Sequence, residues 1–188
     1  MKKYQNIQEQ IVITKLDEGA RSQVQKNWDM VAKPLDGMGL FEKLISKIGA
    51  ITGESQIHLE KKAVLVMCAD NGIVEEGISQ SGQEVTAAVA KEMTKGLSSV
   101  GQMAASIGTD VIPIDSGINT REVIPGLLPR SVRKGTRNFR KEPAMTPEEA
   151  WQAIHTGISL VAEYKEKGYQ ILATGEMGIG NTTTSSAV

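Results

Sequence analysis

The sequence predicts an α/β protein: a three-layer, Rossmann-like, mainly parallel sheet with flanking helices, preceded by a small N-terminal helical region and incomplete at its C-terminus. Three observations predict this. Short apolar runs at residues 63–69, 110–115 and 169–174 have the length of buried strands, and helical patterns separate them. A glycine-rich corner follows the last run, where a strand hands over to a helix. Strand, helix and strand in alternation favour parallel pairing with helices on both faces.

The first fifty residues differ from the rest. Helical patterns are expected at 4–15, 19–32 and 39–48, with Leu40, Leu44 and Ile48 at helical spacing, and Lys33-Pro34-Leu35-Asp36-Gly37 breaks the last two apart. The expected division is therefore 1–50, helical, and 51–188, α/β. After the strand at 64–69 comes the polar loop Asp70 to Gly77. A helix then starts near Glu84 with Val85, Ala88, Val89 and Met93 on one side, and Gly96 separates it from a second helix reaching Ile107.

Pro113 sits within the second strand and lacks a backbone donor, so an edge or strand-end position is expected for it. Thr146-Pro147-Glu148-Glu149 reads as a helix start, with a capping threonine, a first-turn proline and a glutamate that closes a capping box. Trp151, Ile154, Ile158, Val161 and Ala162 form the expected buried face of that helix. The strand at 169–174 then leads into Gly175-Glu176-Met177-Gly178-Ile179-Gly180-Asn181-Thr182-Thr183, a corner suited to an anion, where backbone donors meet a helix start. A plain tight corner built from glycines is the competing reading.

In such sheets ligands lie beyond the carboxyl ends of the strands. That rule brings together the Asp70 loop, Asp115-Ser116-Gly117 and the Gly175 to Thr183 corner. Asp70, Glu75 and Glu76 could orient hydroxyls, take protons or meet a cation, with ordinary solvated charge as the alternative. Asp70 is the best placed of the three, and Asp115 ends the second strand in the same way; either could cap a turn instead. The basic residues Arg130, Arg133, Lys134, Arg137, Arg140 and Lys141 could hold phosphate or form a solvated run. Glu176 could orient an aromatic nitrogen or a ribose hydroxyl, or cap the corner.

Composition bounds the remaining classes. The 188 residues are 40% hydrophobic and 23% charged with a net charge of -1, which points away from a general nucleic-acid surface. The single cysteine, Cys68, lies in an apolar run and reads as buried filler, and a reducing, cytoplasmic setting is expected. No secretory signal or bilayer-length apolar run is present. His58 and His155 form no metal spacing with Cys68, the dinucleotide glycine pattern is missing, and no serine nucleophile elbow occurs. No metal and no cofactor are expected.

Several stretches in order carry a more specific resemblance: Lys33-Pro34-Leu35-Asp36-Gly37-Met38-Gly39, Ala69-Asp70-Asn71-Gly72-Ile73-Val74-Glu75-Glu76-Gly77-Ile78-Ser79, Asp115-Ser116-Gly117-Ile118, Gly135-Thr136-Arg137-Asn138-Phe139, Pro143-Ala144-Met145-Thr146 and the Gly175 to Thr183 corner. Together they resemble the N-terminal portion of the nicotinate-nucleotide-dimethylbenzimidazole phosphoribosyltransferase family.

That resemblance implies transfer of phosphoribosyl from nicotinate mononucleotide to a lower-ligand base such as 5,6-dimethylbenzimidazole, within cobalamin biosynthesis. The base nitrogen attacks ribose C1′ and displaces nicotinate with inversion, giving α-ribazole 5′-phosphate. It implies Ser79 and Gln80 in the base pocket, Glu176 as a supporting acid, and Gly178, Gly180, Asn181 and Thr182 around the nucleotide phosphate. The family's principal catalytic glutamate lies in a distal segment with no counterpart here, so the isolated chain is expected to be weak or inactive. A homodimer is implied for the complete protein. Gln80 stands where many relatives present an aromatic or apolar group, and Asn71 where they commonly carry histidine, which leaves benzimidazole, purine and phenolic bases open. The alternative from another functional class is a noncatalytic nucleotide-binding or regulatory partner subunit.

Overall fold

A computed structural model describes residues 12–188. The chain forms two compact units, Met1–Leu59 and Glu60–Val188; the sequence placed the division at 50/51.

In the first unit α1 (Glu18–Asp29) starts at Asp17, whose carboxylate accepts from Ala20 N at 2.8 Å. Helix α2 (Leu40–Thr52) ends at the left-handed Gly53. The helix expected at 4–15 falls mostly outside the described residues, and residues 12–15 are irregular. The spacing of Leu40 and Leu44 marks an exposed face of α2, because its buried positions are Glu42, Ser46, Gly49 and Ala50. Glycine is required at 49, since a Cβ there would stand 2.6 Å from Val24 Cγ2. Glu42, almost fully buried, accepts from Met38 N and pairs with Lys33 at 2.9 Å, tying the proline-glycine break back onto α2.

The second unit holds β1 (Lys62–Ala69), a 3-10 turn (Gly72–Glu76), α3 (Glu84–Thr94), α4 (Ser99–Ser106), β2 (Asp110–Gly117), β3 (Leu128–Pro129), α5 (Pro147–Glu166), β4 (Ile171–Met177) and α6 (Asn181–Ala187). Its four strands are parallel, in the order β3-β2-β1-β4. The predicted α/β sheet with flanking helices is therefore present. Alternate β1 residues serve opposite faces. Val66 and Cys68 pack with Ala90, Met93 and Ile118 on the α3 side, and Leu65 packs with Ile114, Leu160 and Tyr164 on the α5 side.

Four sequence readings change. The buried positions of α3 are Thr86, Ala90 and Met93, while Ala88 is exposed. Pro113 lies inside β2 opposite Val66. Asp115, two residues on and so directed to the same side, accepts from Arg130 N of the β3 segment; Pro113 therefore turns its missing donor toward the edge side, where β3 pairs only with Ile114 and Asp115. The last strand extends to Met177, which takes Gly175 and Glu176 out of the corner and into β4. Glycine suits position 175 because it faces Val66, whose Cγ2 would lie 3.2 Å from an added Cβ. Finally, α5 buries Leu160 and Tyr164, whereas Trp151, Ile154, Ile158 and Val161 remain substantially exposed.

The capping box at Thr146 forms as read: Glu149 N donates to Thr146 Oγ1 at 3.2 Å and Thr146 N donates to Glu149 at 2.7 Å. Thr146→Ala should destabilise the second unit by about 1 kcal/mol and Leu160→Ala by about 2–5 kcal/mol, measured by urea unfolding. Equal losses for the two would refute the assignment of Leu160, rather than the cap, to the core.

Candidate functional site

Between β1 and β4 the strand order reverses, since β2 and β3 extend one way from β1 and β4 lies on the other side. The carboxyl ends at this switch point are Ala69, leading into Asp70-Asn71, and Met177, leading into Gly178-Ile179-Gly180. Ligands of open parallel sheets settle at such a crevice.

Asp70 is 1% exposed. Its Oδ2 accepts from Asn119 N at 2.7 Å, while Oδ1 has no hydrogen-bond partner among the described residues. Burial pushes its pKa up, opposed by the Asn119 N–H and the nearby Thr86 hydroxyl. Its backbone is engaged as well, donating to Gly117 O and accepting from Thr136 N. Asp115 caps a turn, its Oδ1 accepting from Gly117 N at 3.0 Å and Ile118 N at 2.8 Å.

The basic segment is consumed locally. Arg133 and Arg137 both pair with Glu149, at 3.2 and 3.3 Å, and Arg130 pairs with Glu163 at 3.1 Å. Arg140 binds Glu76 at 2.8 Å and Lys141 binds Glu75 at 3.0 Å, while Lys134 donates to Thr120 O. Asn138 adds a 2.6 Å bond to Glu76. These contacts pin the 130–145 segment to the 3-10 turn and to the start of α5. Neither a free phosphate cluster nor a simply solvated run describes them. Glu75 and Glu76 belong to the same network.

The corner after β4 is tightly built. A Cβ on Gly178 would stand 2.1 Å from Ala69 O, and one on Gly180 2.8 Å from Val74 Cγ2, with Gly180 also at φ 84°. Ile179 N donates to Thr86 Oγ1 at 3.1 Å, and Ile179 O accepts from Asn71 Nδ2 at 3.2 Å. Thr184 donates to Asn71 Oδ1 at 2.9 Å. Asn181 begins α6, where no side chain caps the helix, and its amide donates to Glu176 Oε2. Glu176 therefore reaches the corner from the end of β4. Partial burial raises its pKa, and the Asn181 amide opposes that shift.

The expected residues Glu176, Gly178, Gly180 and Asn181 thus come together, with Thr182 next along α6. Ser79 and Gln80 lie in the loop before α3, where Ser79 Oγ accepts from Ser81 N at 3.2 Å. That loop approaches the corner through Ile78, whose Cδ1 would be 3.4 Å from a Cβ on Gly180. Sequence reasoning passed over Gln83 and Thr86. Gln83 joins the Asn71 carbonyl to the Asn119 side chain, at 3.1 and 3.3 Å. The available signal was a threonine on the inward face of an otherwise apolar helix.

Among the described residues no group of three or more His, Cys, Asp or Glu is placed to hold a metal, and no helix is long and apolar enough to cross a membrane. Burial pushes the Cys68 thiol up to about 11, so it stays protonated and unreactive at neutral pH.

A family model described as phosphoribosyltransferase matches residues 13–188. The chain belongs to this phosphoribosyltransferase family. It is 48% identical over 165 residues to nicotinate-nucleotide-dimethylbenzimidazole phosphoribosyltransferase of Acetivibrio thermocellus, covering 88% of this chain and 47% of the relative. With the enzyme of the same name from Clostridium perfringens it shares 45% over 173 residues, covering 92% and 48%. A crystal structure of the phosphoribosyltransferase of that name from Thermus thermophilus superposes with a TM-score of 0.84 at 36% identity, covering 92% of this chain and 52% of that one. The chain spans about half the length of the curated relatives it matches.

The raised pKa of Glu176 has a definite sign. The folded state holds this proton more tightly than the unfolded one, so the carboxyl favours folding below its ordinary range and that contribution disappears as pH rises through the raised value. Glu176→Gln should therefore leave the melting temperature unchanged at a pH below the ordinary carboxylate range and raise it at neutral pH. A constant difference across the titration would show that desolvation does not govern this group.

Proposed function

We propose that the complete protein carrying this chain transfers phosphoribosyl from nicotinate mononucleotide to a lower-ligand base such as 5,6-dimethylbenzimidazole, releasing nicotinate and α-ribazole 5′-phosphate for cobalamin synthesis. The observation that carries this reading is the meeting, at the switch point, of Glu176 with the Gly178 to Asn181 corner in a chain of this family.

The chemistry follows from the reaction. As nicotinate departs, positive charge builds at C1′ while the incoming nitrogen bonds from the opposite face. A carboxylate beside that centre stabilises the charge or takes the proton released by the base. Glu176, with its raised pKa, supplies a supporting acid or base, and the principal glutamate belongs to a distal segment of the complete protein. Gly178, Gly180, Asn181 and Thr182 surround the phosphoribosyl group in this reading. No side chain caps α6, and of its first backbone donors Asn181 N is bonded to Gly178 O. Ser79 and Gln80 contact the base. Holding both rings against one ribose supplies much of the rate. The reaction needs no metal or redox cofactor, and the complete protein acts as a cytoplasmic homodimer.

The test is direct. The full coding product, given nicotinate mononucleotide and a panel of benzimidazole, purine and phenolic bases, should release nicotinate and form a base ribotide detectable by mass spectrometry. Glu176→Gln should lower kcat by about 10–100-fold. Release of no nicotinate with any base would end this reading.

A second reading, a noncatalytic subunit that completes a related chain, draws on two structural observations: among the described residues the outer edge of β4 is unpaired, and α5 carries the exposed apolar residues Trp151, Ile154, Ile158 and Val161. It expects this chain to bind or activate a coexpressed relative. A chain that sediments as a monomer and does neither rules it out.

A further inference from the structure

Ile179 lies between two glycines, and the peptide groups of such a residue rotate freely unless something holds them. Here both its backbone groups are held by side chains from distant parts of the chain. Thr86, fully buried on α3, accepts the Ile179 N–H, and Asn71, at the end of β1, donates to the Ile179 carbonyl. We propose that Thr86 and Asn71 are positioning residues for phosphoribosyl transfer: by gripping the two peptide groups that flank Ile179, one by its N–H and the other by its carbonyl, they set the orientation of Glu176 and Asn181 toward the nucleotide. This rests on the reading given under Proposed function.

The contrast with other helical threonines supports a dedicated role for Thr86. Thr52, Thr94 and Thr156 return their hydroxyls to a carbonyl one turn back in their own helices. The Thr86 oxygen instead receives a hydrogen bond from a residue far along the chain, at the N-terminal end of a buried face continued by Ala90 and Met93. A hydroxyl buried there opposes folding unless it is used.

Asn71 is fixed more firmly still. Its carbonyl accepts from Gln83, and its Oδ1 accepts from Thr184, so a single amide links the corner to α6. The close approach depends on Gly178, where a Cβ would lie 2.8 Å from Asn71 Nδ2. Glu176 precedes this clamped peptide and Asn181 follows it, and the bond between them closes the loop. Rotating the Ile179 peptide would therefore move both ends of that bond.

The experiment uses the full coding product. Thr86→Val keeps the shape of the side chain and removes the hydroxyl, which also faces Asp70, leaving the half-buried Ile179 N–H without its acceptor; the cost of such a group corresponds to about a tenfold effect. KM for nicotinate mononucleotide should rise about tenfold, exchange of the Ile179 amide should accelerate by a similar factor, and Thr86→Ser should restore both. Asn71→Asp keeps the acceptor for Thr184 but sets an oxygen against the Ile179 carbonyl, and should raise KM in the same way. A purely structural role would reduce the fraction of active sites alone, with kcat per active site and KM unchanged; that result, or faster Ile179 exchange with both unaltered, overturns the proposal. If the unsubstituted protein releases no nicotinate, the functional reading fails and the proposal with it, whatever the exchange data show.

Discussion

The arrangement depends on β1 being paired along its length on both sides, to β2 from Ala63 to Ala69 and to β4 from Lys62 to Cys68. A strand enclosed in this way has every residue facing one packed layer or the other, which explains its nearly continuous apolar sequence. It also confines the chain leaving β1. Asp70 and Asn71 emerge between two neighbours, so their side chains meet the segments leaving β2 and β4 instead of solvent. Asp70 turns to the β2 side, where Asn119 and the Gly117 carbonyl receive it, and Asn71 turns to the β4 side and takes Ile179. Two adjacent polar residues thus organise the two halves of one crevice.

The same pairing leaves β4 at the border of the sheet. Its Ala173 and Thr174 are exposed, and α5, whose Leu160 and Tyr164 pack on Leu65 and Ile114, leaves the stripe Trp151, Ile154, Ile158 and Val161 open. At roughly 25 cal/mol for each Å² of apolar surface, covering such a stripe is strongly favourable. An unpaired strand edge and an uncovered apolar helix face are each surfaces suited to packing against other polypeptide. The core on the other side of β1 is closed by comparison, since α3 supplies Ala90 and Met93 directly over Val66 and Cys68.

How much was legible varied with the range of the interaction. The capping box at Thr146 was readable because its partners stand three residues apart and need no tertiary context. The existence of β1, β2 and β4 was readable from apolar runs of strand length. The end of β4 was not, because glycine at 175 signals a turn locally, and only the Val66 side chain across the pair explains it. The inward face of α5 was misjudged for a related reason: periodicity reports an apolar stripe without saying what covers it. At the site, the glycines and Glu176 could be read, whereas Thr86 and Asn71 act through contacts far apart in sequence, which no spacing rule reveals. The two-residue strand β3 is too short to leave any pattern.

The charge layout narrows how the proposed substrate would be held. The basic side chains between Arg130 and Lys141 that sequence reading made candidates for phosphate are bound to Glu149, Glu163, Glu75 and Glu76, or in the case of Lys134 to a carbonyl. At the strand ends, by contrast, the polar groups are carboxylates and neutral amides, Asp70, Asp115 and Glu176 among Asn71, Asn119 and Asn181, each amide giving one hydrogen bond to the protein and keeping a second N–H for a ligand. A nucleotide phosphate held in this half of the site would therefore rely on neutral donors rather than on a guanidinium. Asp70 is closed off beneath the segment bearing Gly135 and Thr136, so the carboxylate left facing the corner is Glu176. A negative group there would repel phosphate and attract the cationic C1′ and pyridinium of the proposed nucleotide. Orientation of the nucleotide, with its ribosyl-pyridinium toward Glu176 and its phosphate toward α6, follows from that opposition of signs. Rigidity of the Ile179 peptide matters for the same reason: it keeps the acid and the amide donors at a constant separation, and without it the two ends of the nucleotide would lose their distinction.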